Sequence, residues 1–222
     1  DFFYKKFNLT YRVELSTRPE KRIGDDKTWD KAEKILEQIL KKKKINFKTN
    51  KGEGAFYGPK IDFHVKDSLD RTWQIGTIQL DFSTPERFDL EYIDSGNKRK
   101  RPLMLHRVIY GSLERFIGIL LEHTNGRLPT WLSPVQVRVL TFTDRQEKYA
   151  EQVLAKLKQK NPNLRVDSDF SSTTVSAKVK DAEIMKIPYI LTVGDREEKD
   201  KTLAVRIRGD KKLQTMTIDE FS

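Results

Sequence analysis

The stretch "PLMLHRVIYGSLERFIGILLE", residues 102–122, decides the fold, because a short strand-like pattern passes there directly into a longer helical one. "PLML" reads as a strand and residues 106–122 as the helix it enters. Leu113, Phe116, Ile117, Leu120 and Leu121 recur at helical spacing and predict one broad core-facing side. Arg115 points elsewhere, and its neighbours one turn away are Gly111, Ser112, Gly118 and Ile119. Small residues around a guanidinium leave room for something flat or anionic. Glycine inside a helix costs about 1 kcal/mol against alanine, so two of them indicate close packing or a ligand near the backbone. The same residues also read as an Arg paired with a core carboxylate, both glycines serving helix-on-sheet packing. His106 falls at the strand-to-helix corner, where a ring nitrogen can face a cleft.

Upstream, "FNLTYRVELSTR" is β-branched and aromatic at near period two, a strand. "TWDKAEKILEQILKKKK" places Trp29, Ala32, Ile35, Leu36, Ile39 and Leu40 on one side of an amphipathic helix. Its cationic end, Lys41 to Lys44, suits the helix dipole. "GEGAFYGPK" is a Gly-rich loop, and "IDFHV" and "TWQIGTIQLDF" are strands, the second interrupted by Gly76. These elements predict an antiparallel sheet with flanking helices over residues 1–130.

Gly126, Pro129 and Pro134 punctuate "GRLPTWLSPVQ" and mark a boundary before a second domain, residues 131–222. There "VQVRVLTF" is a strand and "TDRQEKYAEQVLAKLKQK" a helix, with Thr143 and Gln146 spaced as a capping box. "LRVDSDF", a helical "VSAKVKDAEIMKI", the strand "PYILTVGD", and a hairpin of "TLAVRIRG" with "KLQTMTI" follow. That order is βαβαβ with a two-strand extension, an α/β domain with a mixed sheet.

Lys and Arg number 43 against 33 Asp and Glu, a net +10 that favours polyanionic partners such as nucleic acid. The second domain carries only +3 of this, with 17 basic and 14 acidic residues, so the first carries +7. The chain has no cysteine, which excludes disulfides and thiolate chemistry and is compatible with a reducing, cytoplasmic setting. No stretch approaches the roughly 20 apolar residues that cross a bilayer, and no signal-peptide pattern opens the sequence, so a soluble protein is expected.

"GEGAFYGPKIDF" departs from the phosphate-binding pattern G-x-x-x-x-G-K-S/T, which argues against a Walker-type site. The loop can still bring Tyr57 onto a ligand while Lys60 offers a point charge to phosphate or carboxylate; an ordinary hairpin loop with an exposed Lys reads equally from the spacing. Three histidines, His64, His106 and His123, are too few to build a zinc site alone.

Taken in order, "LSTRPEKRIG", "GEGAFYGPKIDF", "WQIGTIQLDF", "HRVIYGSLERFIGILLE" and "PTWLSPVQV" resemble the C-terminal half of the threonyl-tRNA synthetase family, across essentially the whole chain. The resemblance implies part of a class II catalytic core joined to an α/β anticodon-binding domain. It also implies an ATP-dependent ligase that makes threonyl-adenylate and attaches threonine to its tRNA. Arg115 would then hold the triphosphate of ATP, buried with its substrate. His106 would be one of three zinc ligands, the other two lying upstream, and the zinc would take the amino and hydroxyl groups of threonine. Tyr57 matches the position facing the threonine amino group, and Lys60 the one facing the reacting carboxyl and phosphate. Gln74, Thr77, Gln79 and Ser112 fall on the substrate and adenosine side. Strand alternation sets Gln74 opposite Thr77 and Gln79 unless Gly76 introduces a bulge. His106 and Arg115 are expected to face one pocket. In the second domain Glu197 and Arg206 match anticodon-reading positions, with Ser172 standing where the family pattern has Asn. Expected partners are threonine, ATP with Mg2+, tRNA(Thr) and a second copy of the complete enzyme. Motifs 1 and 2 and the upstream zinc ligands have no counterpart in these residues, so this stretch alone is expected to be inactive. Two rivals remain: a non-catalytic tRNA-binding module, and a sister class II enzyme for proline, glycine or histidine.

Overall fold

In the computed structural model, which describes residues 2–221, the chain divides between His123 and Thr124 into two units. The first contains α1 (Phe2–Lys6), β1 (Tyr11–Ser16), α2 (Asp26–Lys42), β2 (Phe47–Asn50), β3 (Lys60–Lys66) and β4 (Thr72–Asp81). It continues through α3 (Thr84–Arg87), the small hairpin β5 (Tyr92–Ile93) and β6 (Arg99–Lys100), β7 (Met104–Val108) and α4 (Leu113–Thr124). Five strands form one sheet in the order β2-β1-β3-β4-β7. It is antiparallel except at its edge, where β2 runs parallel to β1.

Helix α2 starts where Asp25 accepts from the Thr28 amide, and it covers one side of the sheet. Leu36 and Leu40 pack with Val13, Leu15 and Ile61, while Trp29 is fully buried and donates its indole N–H to the Ile23 carbonyl at 2.8 Å. Each such Leu contributes about 1.5–3 kcal/mol through removal from water. The buried stripe is narrower than the sequence pattern, because Ile35 and Ile39 remain exposed.

The 102–122 segment differs from its sequence reading. Met104–Val108 is a strand, and the helix begins only at Leu113. Gly111, at φ +65°, makes the intervening turn and lies against the Ile75 backbone, while Gly118 has open space beside it. Neither glycine therefore serves helix-on-sheet packing in a helix interior. Phe116, Ile119 and Leu120 are the buried residues of α4, whereas Leu113, Ile117 and Leu121 are exposed. His106 accordingly sits in the middle of a strand and not at a strand-to-helix corner.

The second unit contains β8 (Val137–Thr141), α5 (Glu147–Lys160), β9 (Val166–Asp169), α6 (Val175–Ile184) and β10 (Tyr189–Val193). It ends with α7 (Asp195–Asp200), β11 (Thr202–Ile207), β12 (Leu213–Thr217) and α8 (Ile218–Phe221). The sheet order is β12-β11-β10-β8-β9, parallel among β9, β8 and β10 and antiparallel in the final hairpin. The capping box forms as the spacing predicts: Gln146 Oε1 accepts from the Thr143 amide and hydroxyl, opening a short 3-10 turn before α5. Helix α5 packs on Val137, Val139, Leu191 and Val193. Ala182 of α6 packs on Leu140 and Ile190, the alternate residues, so the two helices cover opposite faces. Among the described residues no helix is long and apolar enough to cross a membrane.

Candidate functional site

The face of the first sheet turned away from α2 carries rows of polar side chains. Register pairs Ser16 with Lys60, Lys60 with Gln79, and Gln79 with His106 across four strands. The next row pairs Glu14 with Asp62 and Asp62 with Thr77. Residues paired across strands share a face, so these side chains converge by geometry.

Gln74 joins them through a β-bulge. Phe63 pairs with Gly76 but His64 pairs with Gln74, leaving Ile75 without a partner on β3. The extra residue returns Gln74 to the face of Thr77 and Gln79. A Cβ on Gly76 would stand 2.3 Å from the Tyr4 hydroxyl, so the position accepts no side chain without a shift.

Asp62, 2% exposed, is the hub of the face. Its Oδ1 accepts from Gln74 Nε2 at 2.6 Å and Thr77 Oγ1 at 2.9 Å, and its Oδ2 from Ser16 Oγ at 2.7 Å and Lys60 Nζ at 2.5 Å. Sequence reasoning missed Asp62, although period two in "IDFHV" sets it on the side opposite Ile61 and Phe63. One strand further along, buried Glu14 accepts from Asn50 Nδ2 at 3.0 Å and pairs with Arg12 at 3.2 Å. His64 Nε2 lies 3.4 Å from Glu14, and burial pushes the His64 ring below its ordinary pKa.

The Gly-rich loop brings Tyr57 over the row. Its hydroxyl donates to Gln79 Oε1, and its ring centroid lies 5.8 Å from that of His106. Burial, then the negative charge of Asp81, raise the Tyr57 pKa above its ordinary value. The loop can lie this close because Gly58 passes against the Leu80 carbonyl, where a Cβ would stand at 1.7 Å.

His106 is half-exposed and is held by Asp81, with Nε2 at 2.9 Å from Oδ2. Burial alone would raise the Asp81 pKa, but His106 and the amides of Thr84 and Ser83 hold it below the ordinary carboxylate value. A histidine fixed by a buried carboxylate is the arrangement found around metal ligands. Among the described residues, however, no group of three His, Cys, Asp or Glu is placed to hold a metal ion. Among the described residues His106 therefore offers a single donor, and a metal held there would need further ligands.

Arg115 is exposed, contrary to the buried guanidinium expected from the sequence. The apolar helix face beside it is itself partly open. Its amide donates to Ser112 Oγ at 3.1 Å, its Nη1 reaches the Gln74 carbonyl at 3.4 Å, and its guanidinium lies 5.6 Å from the Trp73 ring centroid. It has no carboxylate partner among the described residues, so the core ion pair is not formed. Trp73 is fixed in turn by Asp67, which accepts its indole N–H at 2.8 Å. Asp67 also takes Arg71 Nε and the amides of Leu69 and Arg71; burial opposes ionisation, but these donors bring its pKa down to about 2. Arg115 thus stands at the Gln74 end of β4 and His106 pairs at the Gln79 end, both on an open face; the structure does not join them in the single pocket expected.

In the second unit Glu197 and Arg206 line one pocket of about 280 Å3, with Phe142, Val179, Thr192 and Leu213. Glu197 Oε2 accepts from the Gly194 amide at 3.0 Å and caps α7. Ser172 is exposed on the loop before α6 and does not line this pocket.

An antiparallel sheet carrying this polar face, followed by a mixed α/β unit, defines a class II tRNA synthetase architecture. The family described as tRNA synthetase class II core domain (G, H, P, S and T) matches residues 5–124, and the chain belongs to it. The anticodon binding domain family matches residues 136–222. Within that class the likeness is to threonine-tRNA ligases: the chain is 52% identical over 221 residues to Threonine--tRNA ligase of Syntrophomonas wolfei and 49% identical to that of Clostridium tetani. All of this chain is covered in both cases, but it spans only 34% of each relative's length. The crystal structure of the RNA binding domain of threonyl-tRNA synthetase from Cryptosporidium parvum superposes with a TM-score of 0.91 at 38% identity, covering 99% of this chain and 55% of that one. Prolyl-tRNA synthetase from the same organism, at 22% identity and TM-score 0.61 over 76% of this chain and 38% of that one, shares the fold.

Proposed function

We propose that these residues serve, within a longer polypeptide, the ATP-dependent activation of threonine and its transfer to tRNA(Thr). The observation that carries this reading is the row Lys60, Gln79, His106 with Tyr57 above it and Gln74 and Thr77 beside it on Asp62. Attack of a carboxylate on the α-phosphorus of ATP is mainly a matter of positioning and of stabilising charge. Lys60, aimed by Asp62, directs its ammonium toward the reacting carboxyl and phosphate. Arg115, stacked on Trp73 and lacking an acidic partner, presents its planar fork to the triphosphate, which brings Mg2+ with it. Tyr57 accepts the threonine amino group, while Gln74, Thr77 and Gln79 contact the substrate and adenosine. Ser112 holds the first turn that presents Arg115. His106, held by Asp81, would be one ligand of a zinc ion completed by residues outside this stretch, and that metal would supply Lewis-acid recognition of the threonine hydroxyl. In the second unit Glu197 and Arg206 read bases of the anticodon, a carboxylate accepting from base amino groups and a guanidinium donating or stacking.

Threonine-dependent pyrophosphate exchange by the complete polypeptide tests the reading. Arg115→Ala is expected to slow exchange at least about tenfold, or roughly 1.4 kcal/mol of transition-state stabilisation. His106→Ala is expected to abolish both bound zinc and threonine activation. Unchanged exchange in both variants removes the assignment.

A further inference from the structure

Beside the Glu197 and Arg206 pocket lies a second one, of about 320 Å3, with a different character. Six cations line it, Arg127, Lys186, Arg206, Arg208, Lys211 and Lys212, against two carboxylates, Glu183 and Asp210. Asp210 is already engaged by the Lys212 amide at 2.9 Å and by Gln214 Nε2. Among the described residues none of the six cations has an acidic partner. Six cations against two carboxylates leave an excess of positive charge, which is unfavourable for the folded chain alone and which an anion would offset.

Arg208 makes the site more than a set of surface lysines. Its guanidinium donates to the Lys186 carbonyl and, at 2.6 Å, to the Leu128 carbonyl, so the group is fixed before any ligand arrives. Burial, then the nearby charge of Arg127, push its pKa below the ordinary value. Ile187, Ile190 and Ile207 supply an apolar floor. A phosphodiester with its ribose matches that combination of a fixed guanidinium, the exposed Lys211 and Lys212, and hydrocarbon.

Glu183 and Arg206 line both pockets, which makes them one continuous surface. We infer that the cationic pocket binds the sugar-phosphate backbone of the RNA whose bases enter the adjacent Glu197 and Arg206 pocket. This rests on the anticodon-reading role proposed above and adds to it the backbone contact that sets register. Backbone contacts position an RNA and carry salt dependence, whereas base contacts carry sequence preference.

The test is anisotropy titration of the 222-residue chain with a labelled hairpin bearing a threonine anticodon, and with the same hairpin after permuting its loop bases. Both are run from 50 to 200 mM KCl. Lys211→Gln with Lys212→Gln is expected to weaken both hairpins alike, about tenfold at 100 mM KCl, and to reduce the salt slope by about 2. Preference between the hairpins is expected to persist. Lys156→Gln with Lys158→Gln removes the same charge from α5, on the opposite face of the sheet, and is expected to change neither quantity. Equal losses in both double variants would reduce the effect to net charge and overturn the inference. Tight pyrophosphate binding that the Lys211 and Lys212 variant loses, with RNA affinity intact, would reassign the pocket to a free polyphosphate. If the unaltered chain prefers the threonine hairpin and the pocket variant loses nothing, the backbone site alone fails. If the unaltered chain binds neither hairpin, the anticodon reading fails with it.

Discussion

Gln74 and Thr77 stand three residues apart on β4, on what simple alternation makes opposite faces, yet both donate to Asp62 Oδ1, at 2.6 and 2.9 Å. The bulge at Ile75 makes this possible, and the shared acceptor makes Asp62 the residue that aims them. Removing the carboxylate leaves the Lys60 ammonium, only 14% exposed, without its counter-charge. Asp62→Ala is therefore expected to cost about 3 kcal/mol of stability, read by urea denaturation through Trp29 and Trp73 fluorescence. Asp62→Glu keeps the charge and is expected to restore most of the stability. Pyrophosphate exchange by the complete polypeptide is expected to fall at least about tenfold in the Ala variant. Full exchange at full stability would show that Asp62 aims nothing.

Gly58 is required for a steric reason, not a conformational one. Its missing side chain lets the Tyr57 loop approach the Leu80 carbonyl, which a Cβ would meet at 1.7 Å. Backbone cannot swing aside as a flexible side chain can. Gly58→Ala is expected to lose about 2–3 kcal/mol or more and to separate Tyr57 from Gln79, measurable as a lowered Tm and weakened threonine binding. Gly52→Ala, in the same loop with nothing within 4 Å but at φ +85°, is expected to cost only about 1 kcal/mol through backbone strain. Equal costs at the two positions would remove the close-approach explanation.

Acid sensitivity follows from Asp67. Its folded pKa of about 2 lies below the ordinary carboxylate value near 4, so its contribution is fully present above about pH 4 and is lost as pH falls through 2. Asp67 anchors Trp73, and Arg115 lies over that ring. Denaturant midpoints measured from pH 5 to pH 2 are expected to fall less steeply for Asp67→Asn than for the unaltered chain, because the variant has lost the titrating group. Parallel pH profiles would mean that Asp67 is not held ionised by these donors.

Elements with a strong period were legible in the sequence. Helices α2 and α5, the capping box at Thr143 and Gln146, and the final hairpin all form where the pattern places them. The start of α4 was not, because "HRVI" is β-branched and apolar enough to satisfy either period, and Gly111 marked the true break. Periodicity also gives the direction of Leu113, Ile117 and Leu121 but not whether anything covers them; in this chain they are exposed. Arg115 follows the same logic, since burial of a guanidinium is a property of its surroundings and its sequence spacing sets only its bearing. Among candidate site residues, Tyr57, Lys60, Gln79 and His106 gained definite roles only through the family resemblance, while Asp62 and Asp81 were hidden because a lone Asp in a strand carries no motif. The parallel edge strand β2 has the sequence "FKTN", too short and polar to stand out.

Glu197 has two tasks that one substitution can separate. Its Oε2 caps the six-residue helix α7 by accepting from the Gly194 amide, and the residue also lines the Arg206 pocket. Glu197→Ala removes both functions and is expected to cost about 1 kcal/mol in stability together with base preference. Glu197→Gln keeps an oxygen for the cap but replaces half of the acceptor set with a donor. It is expected to retain a near-normal Tm while binding the threonine hairpin and the permuted hairpin with nearly equal affinity, a loss of about 1–3 kcal/mol in discrimination. Arg206→Lys keeps the charge and removes the planar fork, so its binding is expected to preserve salt dependence and lose preference in the same way. If Glu197→Gln instead discriminates as well as the unaltered chain, the carboxylate is a helix cap only, and base reading must be sought among the other residues of that pocket.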